Sequence, residues 1–385
     1  MKKKIYVVTG SRADYGLLKI LLNKFRNDKK VDLKILVTGM HLLPDFGSTF
    51  KEIIKDGFKI NKKIKILGHL DTPAAISKAT GLGIIKFSSI FRLSKPDMLV
   101  VLGDRYEILS AVIAANFHQI PIAHIGGGDT TLGSIDESIR HSITKMSWLH
   151  FASSLSSKKR IVQLGENPNR VFVTGSLGVD TLKNTKLLSK KNIERKLKFK
   201  FNKKNILITF HPVTLENNTS KKHFDQILLA ISKLKHTKLI FTYPNSDTYG
   251  KIIIKMIKNF IASKKNDAIA FSSLGQINYL SILNNVDCVL GNSSSGLFEA
   301  PSFKVPTINI GDRQEGRLKA NSVIDCKPNK KSIFKFIQKI YTKKFREKLR
   351  YTKNFYEKKN TSEEIFKKIK TKIVPSEMKK VFFDL

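Results

Sequence analysis

The chain has little cysteine, little tryptophan and no long apolar run. The cysteine spacing and the short apolar runs each exclude a class of protein. Of its 385 residues, two are cysteine and one is tryptophan. Cys288 and Cys326 are not spaced as a metal-binding or redox pair, which suits a reducing cytoplasm. No apolar stretch approaches the roughly 18 residues that cross a bilayer, and the apolar run at 5–8 is too short for a signal peptide. We therefore expect a cytoplasmic protein with no membrane partner.

Several motifs of metal and cofactor chemistry are missing as well. The sequence contains no HExxH, CxxC or DxDxDG spacing, so we predict no structural metal and no cofactor. It also lacks the GxSxG elbow and the Walker GxxxxGK[ST] loop, which disfavours the corresponding hydrolases and kinases. The dinucleotide-binding spacing GxGxxG does not follow the first predicted strand.

Acidic residues are scarce relative to basic ones. There are 31 Asp and Glu against 70 Lys and Arg, giving a formal net charge of +39. Such an excess invites a nucleic-acid interpretation, but the lysines are spread along the chain without interleaved aromatic residues. We therefore predict no nucleic-acid partner, and expect the positive field to steer an anionic small substrate. The hydrophobic content of 41% is that of an ordinary soluble globular protein.

Short β-branched runs alternate with amphipathic stretches, which predicts an α/β fold class with parallel sheets and crossover helices. The length predicts two doubly wound, Rossmann-like domains facing across a cleft. We expect domains at 1–175 and 176–350, with a helical tail at 351–385 that packs back on the first. Strands are predicted at 4–9, 33–38, 63–67, 98–102, 121–125, 148–152, 171–174, 205–210, 237–242, 268–271, 287–290 and 305–310. Helices are predicted near 15–26, 48–56, 73–92, 106–116, 136–146, 156–164, 221–234, 249–262, 276–284, 296–302 and 332–340, and within 343–385.

The segment 291–296 is the strongest local pattern. It reads Gly-Asn-Ser-Ser-Ser-Gly between an apolar strand and a predicted helix. Small residues before a helix let an anion approach unpaired backbone N–H groups, although a plain capped helix is the alternative. The predicted phosphate loop comprises Asn292, Ser293, Ser294, Ser295 and Gly296. Glu299 follows within one turn to accept from sugar hydroxyls, and Arg313 and Arg317 would neutralise phosphate charge.

Carboxylates collect after the strands of the first domain. Asp104 follows a strongly apolar strand and is either a helix cap or a partly desolvated acid–base group. Asp129 closes the triple-glycine turn 126–128, which indicates close approach of a ligand to the backbone. Asp136 and Arg140 share one helix face, as either a surface ion pair or part of a site in which Arg140 binds the substrate. In the second half, His211 follows a strand and is either a turn residue or a donor to a leaving diphosphate.

Together these segments resemble the UDP-N-acetylglucosamine 2-epimerases. The matching segments are TGSRADYG (9–16), GDRYE (103–107), HIGGGDTTLGSIDESIRHSITK (124–145), FHP (210–212), LGQINYLSIL (274–283), GNSSSGLFEAP (291–301) and IGDRQEGR (310–317). They cover nearly the whole chain in order. The family fold is GT-B-like, with the nucleotide in the cleft. The hydrolysing branch, whose members make precursors of sialic or legionaminic acids, fits best because the HxEAG glutamate of the other branch is missing at 124–128.

The resemblance implies a mechanism and a set of roles. A carboxylate removes the sugar C2 proton while UDP departs from C1, and water then adds to the 2-acetamidoglucal to give the C2-inverted sugar. Asp104, Asp129 and Asp136 are the acid–base candidates. The remaining roles fall to Arg12, His211, Ser293, Ser294 and Arg313 on the diphosphate, to Glu299 on the ribose, and to Leu274, Gln276 and Tyr279 at the uracil. Relatives also imply a homo-oligomer, either a dimer or a tetramer.

Three functions remain open at this point. The first is hydrolysis of UDP-N-acetylglucosamine to N-acetylmannosamine and UDP, or the same reaction on UDP-2,4-diacetamido-2,4,6-trideoxyglucose. The second is a UDP-sugar glycosyltransferase of the same architecture, which needs an acceptor and does not exchange the C2 proton. The third is a nucleotide-sugar-binding protein, for which the carboxylates are dispensable.

Overall fold

A computed structural model describes residues 2–68, 72–132, 134–213, 219–244, 250–263, 267–372 and 378–385. It forms two compact units. The first unit comprises residues 1–129, 136–181 and 356–385, and the second comprises 130–135 and 182–355. The boundaries expected from the sequence, at 175 and 350, fall a few residues before these divisions. The chain thus returns to the first unit for its last thirty residues or so.

The first unit contains a seven-stranded parallel sheet in the order β3-β2-β1-β4-β5-β6-β7. Its strands are β1 Lys3–Thr9, β2 Val31–Thr38, β3 Ile60–Ile64, β4 Met98–Leu102, β5 Ile122–Ile125, β6 Leu149–Ala152 and β7 Val171–Val173. Its helices are α1 Arg12–Asn27, α2 Phe50–Lys55, α3 Pro73–Leu93, α4 Tyr106–Phe117, α5 Asp136–Met146, α6 Leu155–Gln163 and α7 Leu177–Asn184, the last of which continues past the division between the units. Two apolar clusters cover the faces of this sheet.

The second unit contains a six-stranded parallel sheet in the order β10-β9-β8-β11-β12-β13. Its strands are β8 Lys204–Thr209, β9 Thr237–Thr242, β10 Ala268–Phe271, β11 Cys288–Gly291, β12 Thr307–Ile310 and β13 Val323–Cys326. Its helices are α8 Lys190–Leu197, α9 Thr219–Ile231, α10 Gly250–Ser263, α11 Gln276–Leu283, α12 Ser295–Phe298, α13 Lys330–Lys339 and α14 Lys343–Leu349. Both sheets have the doubly wound strand order, in which the order reverses next to the first strand. The predicted fold class, α/β with two doubly wound parallel sheets, is confirmed.

The sequence prediction missed helices α7 and α8 and strand β13 and made α12 too long, and three of these four differences have a clear physical reason. The stretch 174–180, which spans the expected domain boundary at 175, leads into the unpredicted helix α7, where Leu177 and Val179 are buried. Strand β13 went unpredicted because Asp325 interrupts its apolar residues. That carboxylate accepts a hydrogen bond from Asn309 Nδ2 at 2.7 Å on the neighbouring strand. The helix predicted over 296–302 is shorter than expected, since α12 ends at Phe298 and a 3-10 turn containing Pro301 follows.

The C-terminal segment contributes helix α15, Thr361–Thr371, to the first unit. Its start is fixed by Asp180, whose carboxylate accepts from the Ser362 backbone N–H at 3.0 Å and from its hydroxyl. The Thr361 hydroxyl donates to Thr174 O at 2.6 Å. Ile365 and Ile369 are fully buried in the core of the first unit. The residues 373–377, which were included in the predicted helical tail, lie outside the described residues.

The structure also bears on membrane association. Among the helices in the described part of the chain, none combines the length and hydrophobicity that crossing a bilayer requires.

Candidate active site

The first unit brings its candidate residues to the point where the strand order reverses. Strands β1 and β4 are hydrogen-bonded neighbours, while β2 and β5 continue the sheet on opposite sides of them. In open α/β sheets, ligands bind outside the carboxyl ends of the strands at this point. Asp104 lies two residues beyond β4, and Arg12 begins the helix after β1. The β4 strand is apolar and almost completely buried, so the start of the following loop is fixed by the core.

Arg140 links the carboxylates of this unit. It lies on α5 and is only 1% exposed. Its Nη2 donates to Asp104, and its Nη1 donates to Glu137 Oε2 at 2.7 Å and to the Asp129 carbonyl oxygen at 2.8 Å. Burial alone lowers the pKa of a guanidinium, but the nearby carboxylates, above all Asp104, outweigh it and raise the pKa of Arg140. Arg140 was expected to contact substrate, whereas its contacts show that it holds Asp104 in place.

Asp129 is buried and held by protein hydroxyls. Its Oδ1 accepts from Ser153 Oγ at 2.7 Å and from Ser157 Oγ at 2.6 Å. Ser153 directly follows β6, and Ser157 lies in the first turn of α6. Sequence reasoning missed both of them, although hydroxyl residues directly after a buried strand were a usable signal. One oxygen of Asp129 is therefore committed to the protein itself.

Packing accounts for two of the three glycines at 126–128. A Cβ at Gly128 would lie 2.3 Å from Ser157 O, and one at Gly127 would lie 2.9 Å from His124 Nδ1. Close approach of a ligand is therefore not needed to explain these two residues. His124 is fully buried and neutral, since burial lowers its pKa to about 3. Its Nε2 bonds to Gly103 O at 2.8 Å, so His124 is a core histidine with a backbone partner.

Two further site residues were predicted in the first unit, Asp136 and Arg12. Asp136 is the first residue of α5 and is partly exposed. Arg12 forms a double ion pair with Glu52 of α2, with Nε–Oε2 at 2.7 Å and Nη2–Oε1 at 2.6 Å. Burial lowers the pKa of Arg12, although Glu52 opposes the shift. Arg12 is thus engaged with a carboxylate, where the sequence predicted a phosphate contact.

The second unit repeats the arrangement between β8 and β11. His211 lies two residues beyond β8, and Asn292 directly follows β11. Gly291 permits this close pairing, because a Cβ there would lie only 1.9 Å from Thr209 O and its φ is 135°. Asn292 is fully buried. Its Oδ1 accepts from the His211 backbone N–H at 2.7 Å, and its Nδ2 donates to the His211 carbonyl at 2.8 Å.

Asn292 also contacts two side chains from the loop after β12. Its carbonyl oxygen accepts from Arg313 Nη1 at 3.2 Å and from Gln314 Nε2 at 2.8 Å. Gln314 is fully buried and was not predicted. Asn292 was predicted to bind substrate, but both ends of its side-chain amide are occupied by the backbone of His211. Its position makes it the residue that sets the placement of His211 and Arg313.

We expect Asn292→Ala to lower the melting temperature by roughly 4–24 °C. The substitution leaves the N–H and C=O of His211 unsatisfied, at about 1–3 kcal/mol for each buried group, and about 1 kcal/mol shifts the midpoint by roughly 2–4 °C for a unit of this size. Calorimetry on Asn292→Ala and on a control at the exposed Asn284 measures the difference. Equal midpoints for the two variants would contradict the assignment.

The candidate site residues of the second unit also include Arg317 and the serine segment 293–295. Arg317 Nη1 donates to Gln314 Oε1 at 2.6 Å, and its Nη2 donates to Thr131 Oγ1 at 3.0 Å. Ser293 and Ser294 are partly exposed ahead of the one-turn helix α12. A helix of four residues has little macrodipole, so any anion binding here depends on hydroxyls, backbone N–H groups and Arg313. Gly296 packs against Thr307, whose hydroxyl donates to Gly296 O at 2.8 Å.

Hydrogen bonds through Ser295 connect two of the residues predicted at the nucleoside, Tyr279 and Glu299. Tyr279 Oη bonds to Ser295 Oγ at 2.6 Å, so Ser295 is engaged with the protein. Burial raises the pKa of Glu299 to about 7, an effect that a hydrogen bond from Ser295 opposes. Burial also raises the pKa of Tyr279. Gln276 lies partly exposed at the first residue of α11.

Among the described residues, no group of three or more His, Cys, Asp and Glu side chains is arranged to hold a metal ion. Cys288 and Cys326 are both buried and carry free thiols.

Two parallel sheets, each with polar side chains where its strand order reverses, place this chain among the doubly wound α/β proteins. A family model described as UDP-N-acetylglucosamine 2-epimerase matches residues 23–370. The chain belongs to this family. It is 44% identical over 90% of its length to a GDP/UDP-N,N'-diacetylbacillosamine 2-epimerase (hydrolyzing) of Campylobacter jejuni, covering 89% of that protein.

Two other proteins show the same relationship. The polysialic acid biosynthesis protein P7 of Escherichia coli is 41% identical, with 89% of this chain and 87% of that protein covered. The solved UDP-GlcNAc 2-epimerase of Neisseria meningitidis, bound to UDP-GlcNAc, superposes with a TM-score of 0.80 at 20% identity. It covers 96% of this chain and 100% of its own, and at that identity the likeness shows the fold alone.

Proposed function

We propose that this chain is a hydrolysing 2-epimerase that releases UDP from a UDP-activated 2-acetamido sugar and inverts C2. The observation that carries the proposal is the Asp104 carboxylate, fixed by the buried Arg140 at the order reversal of the first sheet. A base for a weakly acidic C–H must be held rigidly in position. An ion pair with Arg140 favours the ionised form of Asp104, which is the form that a base requires.

The proposed reaction consists of two steps, elimination of UDP and addition of water. Asp104 takes the C2 proton, the C2–H electrons form a C1=C2 double bond, and the C1–O bond breaks so that UDP leaves with its electron pair. Water then adds to C1 while a proton returns to C2 on the other face, giving the free sugar. We assign His211 and Arg313, both held by Asn292, to the diphosphate, with Ser293 and Ser294 as further donors. Negative charge develops there as UDP departs.

The remaining carboxylates receive different roles. Asp129, whose Oδ1 is occupied by two serines, supports the turn that precedes α5. Asp136, partly exposed at the first residue of α5, is assigned to orienting the attacking water. Glu299 accepts from the ribose hydroxyls.

We propose that the substrate is a UDP-2,4-diacetamido-2,4,6-trideoxy sugar. The name of the 44% identical relative, a diacetylbacillosamine 2-epimerase, favours this choice. UDP-N-acetylglucosamine is the second candidate, favoured by the description of the family itself. We propose a cytoplasmic enzyme and expect a homo-oligomer.

Incubation of the purified protein with each UDP-sugar in heavy water tests the proposal. We expect release of UDP together with a free C2-inverted sugar that carries deuterium at C2. Release of UDP only when an acceptor is added would instead indicate a glycosyltransferase. Binding of either sugar without its conversion would indicate a binding protein.

A further inference from the structure

Asp14, in the first turn of α1, is a partly buried residue to whose carboxyl group the proposed mechanism gives no role. Its Oδ2 is shielded from solvent and has no hydrogen-bond partner among the described residues. Its position is fixed, because its backbone N–H donates to Ser11 Oγ at 3.3 Å in the helix cap. A buried polar atom without a partner is costly and uncommon in folded proteins. Such an atom next to a candidate site therefore calls for an explanation.

The topology places Asp14 beside Asp104. Asp14 follows β1 and Asp104 follows β4, and these strands pair in the sheet, with Val7 opposite Val100. The charges that act on Asp14 are those of Arg105, Glu107 and Asp104. Arg105 is already committed, since its Nε donates to Glu107 Oε1 at 2.8 Å. Asp14 is thus a carboxyl group with an unengaged oxygen at the order reversal of the first sheet.

We infer that Asp14 is a second acid–base residue, which donates the proton that returns to C2 of the sugar. The inference rests on the proposed function. Inversion requires that the proton leave one face of C2 and that another arrive on the opposite face, which one fixed carboxyl group cannot accomplish. Asp104 is held by Arg140, and Oδ1 of Asp129 is held by two serines. Of these three residues, Asp14 is the one with an oxygen for which the described residues supply no hydrogen-bond partner.

The proton balance closes with these two residues. Asp104 begins ionised and takes the first C2 proton as UDP leaves. Asp14 begins protonated and gives its proton to C2, while the double-bond electrons form the new C–H bond and water bonds to C1. The proton released by that water returns to Asp14, and Asp104 gives its proton to solvent. Both groups end as they began.

The environment of Asp14 favours the protonated form that an acid needs. Burial, opposed by Arg105 and reinforced by Glu107 and Asp104, raises the pKa of Asp14 to about 6. An acid works only while it keeps its proton, so sugar formation is expected to fall as the pH rises through this pKa. The pairing of one ionised and one protonated carboxyl group is a recurring arrangement for acid–base chemistry.

The experiment uses Asp14→Asn in the full-length protein. We expect UDP to be released at close to the wild-type rate in the first turnover, with the unsaturated 2-acetamidoglucal accumulating. Formation of the inverted sugar should fall roughly 10²-fold or more, and the alkaline decline in its pH profile should disappear. Asp32→Asn, a substitution in β2 that removes a carboxylate paired with Lys34 at 3.2 Å, is the matched control.

Two results would overturn the inference. One is formation of the inverted sugar at the wild-type rate with the same pH profile. The other is an equal loss of UDP release and sugar formation, which an acid of the second step does not produce. If the Asn variant does not fold, Asp14→Glu carries the test: a displaced alkaline limb supports the inference and an unchanged one opposes it. Failure of the wild-type protein to release UDP would instead count against the proposed function.

Discussion

Asp104→Asn is expected to reduce UDP release from the UDP-sugar by roughly 10³-fold, within the range by which a positioned base accelerates a reaction. The amide cannot accept the C2 proton, but its oxygen can still accept from Arg140, whose Nη2 bonds to Asp104 in the native protein. The fold and the second unit are therefore expected to be unaffected. The loss should appear in kcat, because the removed interaction acts in the transition state.

The measurement combines turnover with binding. UDP affinity by calorimetry should remain within a factor of a few of the wild-type value, and deuterium should no longer enter C2 in heavy water. Asp32→Asn, on the same sheet, serves as the control for removal of one negative charge. A variant at Asp104 that keeps more than a tenth of the native turnover would remove this residue from the mechanism.

Much of the fold was predictable because each unit buries its strands on both faces. Runs such as Met98–Leu102 are almost wholly apolar and buried, so their positions are visible in the sequence, and functional residues could be sought where they end. Asp104 and His211 were found in this way. Strand β13 was not, because an exposed edge strand tolerates the charge of Asp325 and loses the apolar pattern.

The partners of the candidate residues were much less predictable. Arg140 shares a helix face with Asp136, but its burial and its bond to Asp104, 36 positions earlier, depend on how α5 packs. The same holds for the hydrogen bond from the His211 backbone N–H to Asn292 Oδ1, which joins residues 81 positions apart. Residue type alone made Asn292 look like a ligand contact and left Asp14 without an assigned role. Only the packing distinguishes an occupied polar atom from an unoccupied one.

Arg313→Ala is expected to weaken UDP binding by roughly 10–150-fold. A hydrogen bond to a charged group contributes about 1.5–3 kcal/mol, and about 1.4 kcal/mol corresponds to a tenfold change in affinity. Arg313 is 9% exposed and is oriented by the Asn292 carbonyl at 3.2 Å, so little side-chain entropy is lost when it meets a phosphate. Since UDP is released in the first step, kcat for the sugar should fall as well.

The matched control is Arg346→Ala, which removes an equal charge from the second unit. Arg346 pairs with Asp287 at 3.2 Å and its side chain is 44% exposed, so its loss should change UDP affinity less than threefold, as expected for a screened surface pair. Arg313→Lys should recover part of the binding, because it restores the charge without the planar fork of donors. Equal UDP affinities for Arg313→Ala and Arg346→Ala would show that the net charge of the unit, rather than Arg313, attracts the diphosphate.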